Sequence, residues 1–166
     1  LGIHASTARK ASLEDLISNS SAIVVATVTG RISFWERTRI YTRNTLELNE
    51  IWLQDETITP PKLQMPTTTS SIEVDTLGGV VDTVGQHVAG SPNLITGKTY
   101  LLFLASGADS NWFIAGLSQG VREVRNDQLI PLPELSQVAI IDDEKQLPNS
   151  RIKLQQSIIQ LMGGPQ

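Results

Sequence analysis

The sharpest chemical motif in the sequence is Gly116-Leu117-Ser118-Gln119-Gly120, which matches the G-x-S-x-G pattern of hydrolase nucleophile elbows. Such an elbow holds its serine between an entering strand and a leaving helix, and the acid and the histidine of the triad follow later in the chain. Here a strand-like segment, residues 121–125, follows the serine, and both histidines, His4 and His87, precede it. This order disfavours an α/β-hydrolase.

A triad in a different chain order stays open as the alternative. In it His87 would act as the base for Ser118, and Asp75 or Asp82 would orient the imidazole. These side chains lack the spacing of known zinc or calcium sites, and the acidic segment 142–144 is typical of a solvated turn. We therefore predict no catalytic residue, no metal and no cofactor, and keep a serine hydrolase as the rival hypothesis.

Composition limits the remaining functions. The chain has 166 residues, of which 40% are hydrophobic and 18% charged, as expected for one globular domain. Thirteen basic against 17 acidic residues, without a basic cluster, disfavour nucleic-acid binding. No apolar run approaches the ~18 residues of a membrane-spanning helix. The absence of cysteine excludes disulfides, thiol catalysis and cysteine-based metal sites.

The central strand of the predicted fold is 99–106, because apolar residues occupy both of its alternating sets. Residues 22–29 form a second buried strand, which Gly30 interrupts with a bulge. From 38 to 53 the alternation predicts a long strand with one wet face, and its phase slips after Asn49. Further strands are expected at 72–76, 80–88, 112–116, 121–125 and 129–132, with an ambiguous segment at 134–148 that includes 138–141.

Two helices complete the prediction. Ser12 to Asp15 has the form of a capping box and starts a short helix that ends near Asn19. Asn149 or Ser150 caps a helix over 151–162. We divide the single domain into a loose N-terminal arm (1–11), a barrel core (12–125) and a C-terminal extension (126–166).

Contact residues are predicted beside turns and in loops. Trp35 and Trp112 flank turns, and His87 lies on an edge strand or at the surface. The Pro- and Thr-rich loop 54–71 and the loop 89–97 are the other candidates. The predicted binding residues are Trp35, Pro60, Pro61, Met65, His87 and Trp112.

Several segments in combination give the chain a resemblance to known proteins. They are Asp15-Leu16-Ile17, residues 22–29 with Trp35, residues 40–42 and 46–52, Gly78-Gly79-Val80, residues 88–92, residues 97–104 and GLSQG. In this order they resemble a group of uncharacterised exported bacterial domains, often associated with matrixin-like metalloproteases and similar to the OB-type barrel of metalloprotease inhibitors.

The resemblance covers roughly residues 12–125. It implies a mostly β fold with a small closed or partly open OB-like, Greek-key barrel, and a secreted, periplasmic or cell-envelope location. It also implies a protein partner, with a secreted metalloprotease as one candidate. Because the chain has no Cys-x-Cys ridge, the zinc-directed inhibition used by the tissue inhibitors does not carry over. We expect a non-catalytic protein-binding module, and a purely structural accessory domain is a further alternative.

Overall fold

The computed structural model describes residues 7–9, 11–54, 70–107, 111–137, 139–141 and 147–163. The chain is mostly β, with 11 strands, two helices and two 3-10 turns in the described part. The strands are β1 Thr7–Arg9, β2 Ala22–Glu36, β3 Arg39–Gln54, β4 Ser71–Leu77, β5 Gly79–Val81, β6 Val84–Gln86, β7 Thr99–Ser106, β8 Trp112–Ile114, β9 Val121–Arg125, β10 Gln128–Pro131 and β11 Ala139–Ile141. The helices are α1 Leu13–Ser18 and α2 Arg151–Leu161, and the 3-10 turns are Leu117–Gly120 and Pro133–Gln137.

Five strands close into a ring in the order β2, β3, β4, β8, β7 and back to β2. All of these pairs are antiparallel except β4 with β8, which is parallel. β9 and β10 extend the sheet beyond β7. The first three strands of the ring, β2, β3 and β4, form a meander. The next two are exchanged in order, so that β8 lies beside β4 and β7 closes the ring onto β2. This is the strand order of an OB-type Greek-key barrel, and the predicted fold class is confirmed.

The strand β7 is buried on both faces, as its sequence predicted. Tyr100, Leu102 and Leu104 face the barrel interior, while Leu101 and Phe103 belong to a second core outside the barrel. The two helices cover that second core with a small number of side chains, Leu16 from α1 and Leu154 and Ile158 from α2. The fold therefore has two hydrophobic layers that share β7 and the first half of β2.

Both predicted irregularities of the long β2–β3 hairpin are present. The register shifts between Val28 and Gly30 on β2, and it shifts twice more where β2 faces the residues around Asn49 and Trp52 on β3. An extra residue on one strand bends it and increases its twist, which lets a long hairpin curl around a small barrel.

Both predicted helices form. Ser12 Oγ accepts a hydrogen bond from Asp15 N (3.1 Å), and Asp15 Oδ2 accepts one from Ser12 N (3.1 Å), so the capping box is complete. Ser150 is the N-cap of α2, although its side chain makes no capping bond. Leu154 N instead donates to Ser150 O (2.9 Å) in the first turn.

Two predictions are corrected. The N-terminal arm is not loose throughout, because Thr7–Arg9 pairs in parallel with Ala139–Ile141. The expected strand 80–88 is a tight hairpin of β5 and β6, because Asp82 takes a left-handed conformation (φ 52°) and turns the chain. The strand predicted at 129–132 is present as β10, which pairs with β9 at the end of the sheet.

Candidate functional site

Two hairpins pack against each other at one end of the barrel, and we call this region the hairpin end: the tip of β2–β3 (residues 31–43) together with β5–β6 (residues 79–86). Gln86 connects them, because its Oε1 accepts from Ile40 N (2.7 Å) and its Nε2 donates to Thr38 O (3.1 Å). Gly78 N also donates to Ile40 O (2.8 Å). The β5–β6 hairpin is thus held across the inner side of the projecting strands.

The contact between the hairpins depends on a glycine. A Cβ atom at Gly79 would overlap the hydroxyls of Ser33 and Thr42, and its φ of +141° is one that residues with a side chain rarely adopt. Those two hydroxyls lie 2.9 Å apart, and Thr42 Oγ1 donates to Gly78 O (2.7 Å). A polar cross-strand pair therefore supports the backbone of β5.

A cavity of about 420 Å³ opens beside this contact. Its lining combines hydroxyl and backbone groups with the side chains of Arg31, His87 and Glu134. One carboxylate oxygen of Glu134, Oε2, is buried without a hydrogen-bond partner. The volume lies in the range of small-ligand pockets, so the cavity could also accept one side chain of a protein partner.

The loop 89–97 forms one wall of this cavity and is fixed to the barrel. Ser91 Oγ donates to Leu77 O (2.7 Å), Gly97 N donates to Val28 O (2.8 Å), and Ile95 N donates to the hydroxyl of Tyr100 (3.0 Å). Burial raises the pKa of that tyrosine, which keeps the hydroxyl neutral as an acceptor.

Large hydrophobic side chains are exposed at the hairpin end. Ile32 is 66% exposed and Trp35 44% exposed on β2, and Val80 (64%) and Val84 (46%) are exposed on the β5–β6 hairpin. Clusters of exposed apolar side chains mark interaction surfaces.

The projecting strands are also basic. Residues 31–43 contain four arginines and one glutamate, a net charge of +3 in a chain whose net charge is −4. Arg31 binds two amide side chains, through Nη2 to Asn93 Oδ1 (2.7 Å) and through Nε to Asn44 Oδ1 (3.3 Å). Within the described part of the chain it has no carboxylate partner, so its charge is available at the cavity rim.

Arg43 is the exception among these arginines. It binds Asp75 through two parallel hydrogen bonds of 2.9 Å, and its guanidinium lies over the ring of Phe34, 4.9 Å from the centroid. The carboxylate raises the pKa of Arg43, which stays charged. Phe34 stacks on Tyr41 at 6.1 Å. This rigid group supports the outer face of the tip.

The predicted binding residues fall into three groups: exposed, buried, and outside the described residues. Trp35 and His87 are exposed at the hairpin end, and His87 lines the cavity. Trp112 is only 3% exposed and packs in the barrel core, so it is removed from the contact surface. Pro60, Pro61 and Met65, with most of the predicted 54–71 loop, lie outside the described residues.

The GLSQG motif forms the turn between β8 and β9. Gly116 (φ 73°) and Leu117 (φ 53°) take left-handed conformations, and Ser118 sits in the 3-10 turn that follows. Ser118 is 1% exposed, its N donates to Gly90 O (2.9 Å), and its Oγ has no hydrogen-bond partner. The 3-10 turn runs directly into β9 rather than into a helix, so the motif forms a buried turn here.

The two aspartates of the alternative triad lie in different surroundings. Asp75 is engaged by Arg43 on the outer face of the barrel, whereas Asp82 is exposed in the β5–β6 turn. Among the described residues there is no group of three His, Cys, Asp or Glu side chains that could hold a metal ion. In that same part of the chain, neither helix has the length and apolar content needed to cross a bilayer.

Sequence reasoning missed most of the hairpin end. The long alternation identified β2 and β3, but a strand pattern does not show that their tips project beyond the barrel. The exposed position of Ile32 follows from that projection, and those of Val80 and Val84 follow from the separate β5–β6 hairpin. The one available signal was the concentration of arginines in residues 31–43.

The fold and the site together define a small β-barrel domain with a basic, partly apolar hairpin end. No protein-family model matches the chain, and no curated protein matches it either.

Proposed function

We propose that this domain is a non-catalytic protein-binding module and that the hairpin end is its contact surface. The observation that carries the proposal is the exposure of Ile32, Trp35, Val80 and Val84 on two hairpins that are fixed to each other and to the barrel. Trp and Arg are enriched among the residues that dominate binding energy at protein interfaces, and exposed apolar side chains beside them mark an interaction surface.

The partner is proposed to be an exported protein, with a secreted metalloprotease as the first candidate. The support is the resemblance of residues 12–125 to exported domains associated with such proteases, together with a strand order of the OB type. The chain contains no cysteine, so contact with a catalytic zinc through a Cys-x-Cys ridge is not part of the proposal.

The burial of Ser118 favours binding over catalysis. A nucleophile needs a base within hydrogen-bond reach and access for the substrate. Ser118 Oγ has no partner, and its side chain is closed off from solvent. The hairpin end, by contrast, presents its side chains outward.

The experiment is a pull-down from the envelope and culture fluid of the source cell. The tagged domain is compared with a double variant, Trp35→Ser with Val80→Ser, which removes two exposed side chains from the hairpin end. The matched control is Ile152→Ser with Ile159→Ser on α2, where both isoleucines are likewise exposed.

We expect one protein to be retained by the native domain and by the α2 variant, and to be lost from the hairpin-end variant. Thermal unfolding of all three proteins confirms that each is folded. If the hairpin-end variant retains the partner as well as the native domain does, the contact surface lies elsewhere on the domain. If no protein is retained by the native domain, the binding-module proposal fails.

A further inference from the structure

The outer edge of β2 at the hairpin end has no neighbouring strand. β2 pairs with β7 only over Ala22–Thr27, and Val28 is the last residue that bonds on that side, to Gly97 and Lys98. Across the rest of the described structure, no backbone group bonds to that side of residues 31–36. Six residues of strand therefore project with one edge open.

The register shows which backbone groups face the open edge. The two-residue turn Arg37-Thr38 makes Glu36 and Arg39 the closing pair of the hairpin, and the pair next to such a turn is hydrogen-bonded. Hydrogen-bonded and non-bonded pairs alternate in an antiparallel ladder, so Trp35 and Ile40 form a non-bonded pair. The outward bonds of Ile40, to Gln86 and Gly78, agree with this assignment.

By the same alternation, Arg31, Ser33 and Trp35 aim their N–H and C=O groups away from β3. Unpaired strand edges of this kind are templates for another strand, and proteins use them to bind extended peptides. The side chains beside the edge show what such a peptide must carry. Ile32 and Phe34 share the outer face of the strand, and Arg31 lies on the opposite face.

We propose that the hairpin end binds an extended segment of its protein partner by strand addition to residues 31–36 of β2, and that this segment alternates apolar and acidic residues. Apolar side chains on one face of the added strand would pack on Ile32 and Phe34. Acidic side chains on the other face would meet Arg31, and Arg37 lies in the turn at the tip of the hairpin. This mode of binding rests on the proposed function and specifies the chemistry of the partner.

Charge complementarity is the argument for an acidic segment rather than a second copy of this chain. A second copy would bring residues 31–43 of net charge +3 against their own equivalent, which repels. A segment with acidic residues at alternate positions removes that repulsion and leaves the apolar contacts intact.

The experiment measures binding of a defined peptide, an acetylated and amidated octamer that alternates Val and Glu, by isothermal titration calorimetry. Two peptides serve as controls: one with Lys in place of Glu, and one with N-methyl groups on the four alternate amides that would donate to the edge. We expect the Val–Glu peptide to bind and both controls to bind at least about tenfold more weakly, because one loses the charge match and the other loses the donors.

Variants of the protein test the same open edge of β2 by changing its backbone donors instead of those of the peptide. Ser33→Pro removes an N–H that faces the open edge, whereas Ser33→Ala removes the hydroxyl and keeps that N–H. We expect the proline variant alone to lose affinity by at least about tenfold. If the proline variant does not fold, the N-methylated peptide still decides the question.

Equal binding of the methylated and unmethylated peptides, or no binding of the Val–Glu peptide, would overturn strand addition. That result is separable from failure of the proposed function. The pull-down could retain a partner on the native domain and on Ser33→Pro but lose it from the Trp35→Ser and Val80→Ser double variant. That result would support the hairpin end as the contact surface and would reject strand addition.

Discussion

The side chain of Ser118 gives a direct test of the hydrolase alternative. Its hydroxyl is buried without a partner, which costs free energy in the folded state. We expect Ser118→Ala to leave the free energy of unfolding unchanged or to raise it by about 1 kcal/mol, as measured by urea denaturation. If the native protein cleaves a p-nitrophenyl ester and this variant does not, the result would instead support Ser118 as a catalytic nucleophile.

The carboxylate of Glu123 makes part of the stability depend on pH. Hydrogen bonds from Arg125, with the nearby charge of Lys98, lower the pKa of Glu123 below its ordinary value of 4.5. The ionised form therefore stabilises the folded state. This contribution is complete above pH 4.5 and is lost as the pH falls through the lower pKa of the folded protein.

We therefore expect Glu123→Gln to lower the free energy of unfolding at pH 7 by at most about 1 kcal/mol, because the cationic partners are largely exposed. The difference from the native protein should shrink toward zero as the pH falls below 4.5 and through the lower pKa of the folded protein. Denaturation in urea at several pH values measures it. A difference that stays constant down to pH 3 would assign the effect to packing rather than to charge.

The β5–β6 hairpin depends on Gly79. Gly79→Ala would drive a methyl group into the hydroxyls of Ser33 and Thr42 and would strain a backbone at φ +141°. We expect a loss of at least about 2 kcal/mol in the free energy of unfolding. Gly30→Ala is the control, since nothing lies within 4 Å of the added Cβ, and it should change stability by less than about 0.5 kcal/mol.

The elements that the sequence predicted well are those with a strong local signal. The continuous apolar run of β7, the capping box at Ser12 and the break at Gly30 each depend on neighbouring residues, and all three are present. The closure of the barrel through β4 and β8 depends on contacts between distant segments, so no local pattern shows it.

The candidate site was harder to predict for the same reason. Trp35 and His87 were identified because turns and chain order place them near the surface. Trp112 was predicted as a contact residue because it also flanks a turn. However, β8 pairs with both β4 and β7, and the indole lies in the barrel core. Exposure of an aromatic residue beside a turn depends on which strands flank it, and this is a property of the whole sheet.

The C-terminal helix is part of the hydrophobic core of the whole molecule, although the sequence analysis assigned it to an extension outside the barrel core. Leu154 and Ile158 of α2 are buried in the second core together with Phe103 of the central strand. Leu129 of β10 belongs to the same cluster, and Leu129 N donates to Asn149 O (2.8 Å) just before the helix. The segment after 125 therefore completes one side of β7.

We accordingly expect Leu154→Ala to lower the free energy of unfolding by about 2–5 kcal/mol, since it empties a fully buried site. Ile152→Ala, on the exposed face of the same helix, should cost less than about 0.5 kcal/mol. A chain that ends at residue 125 should lose its cooperative thermal transition, because Phe103 and Leu101 would then face water. Cooperative unfolding of that truncated chain, together with a small effect of Leu154→Ala, would show that the barrel folds without its second core.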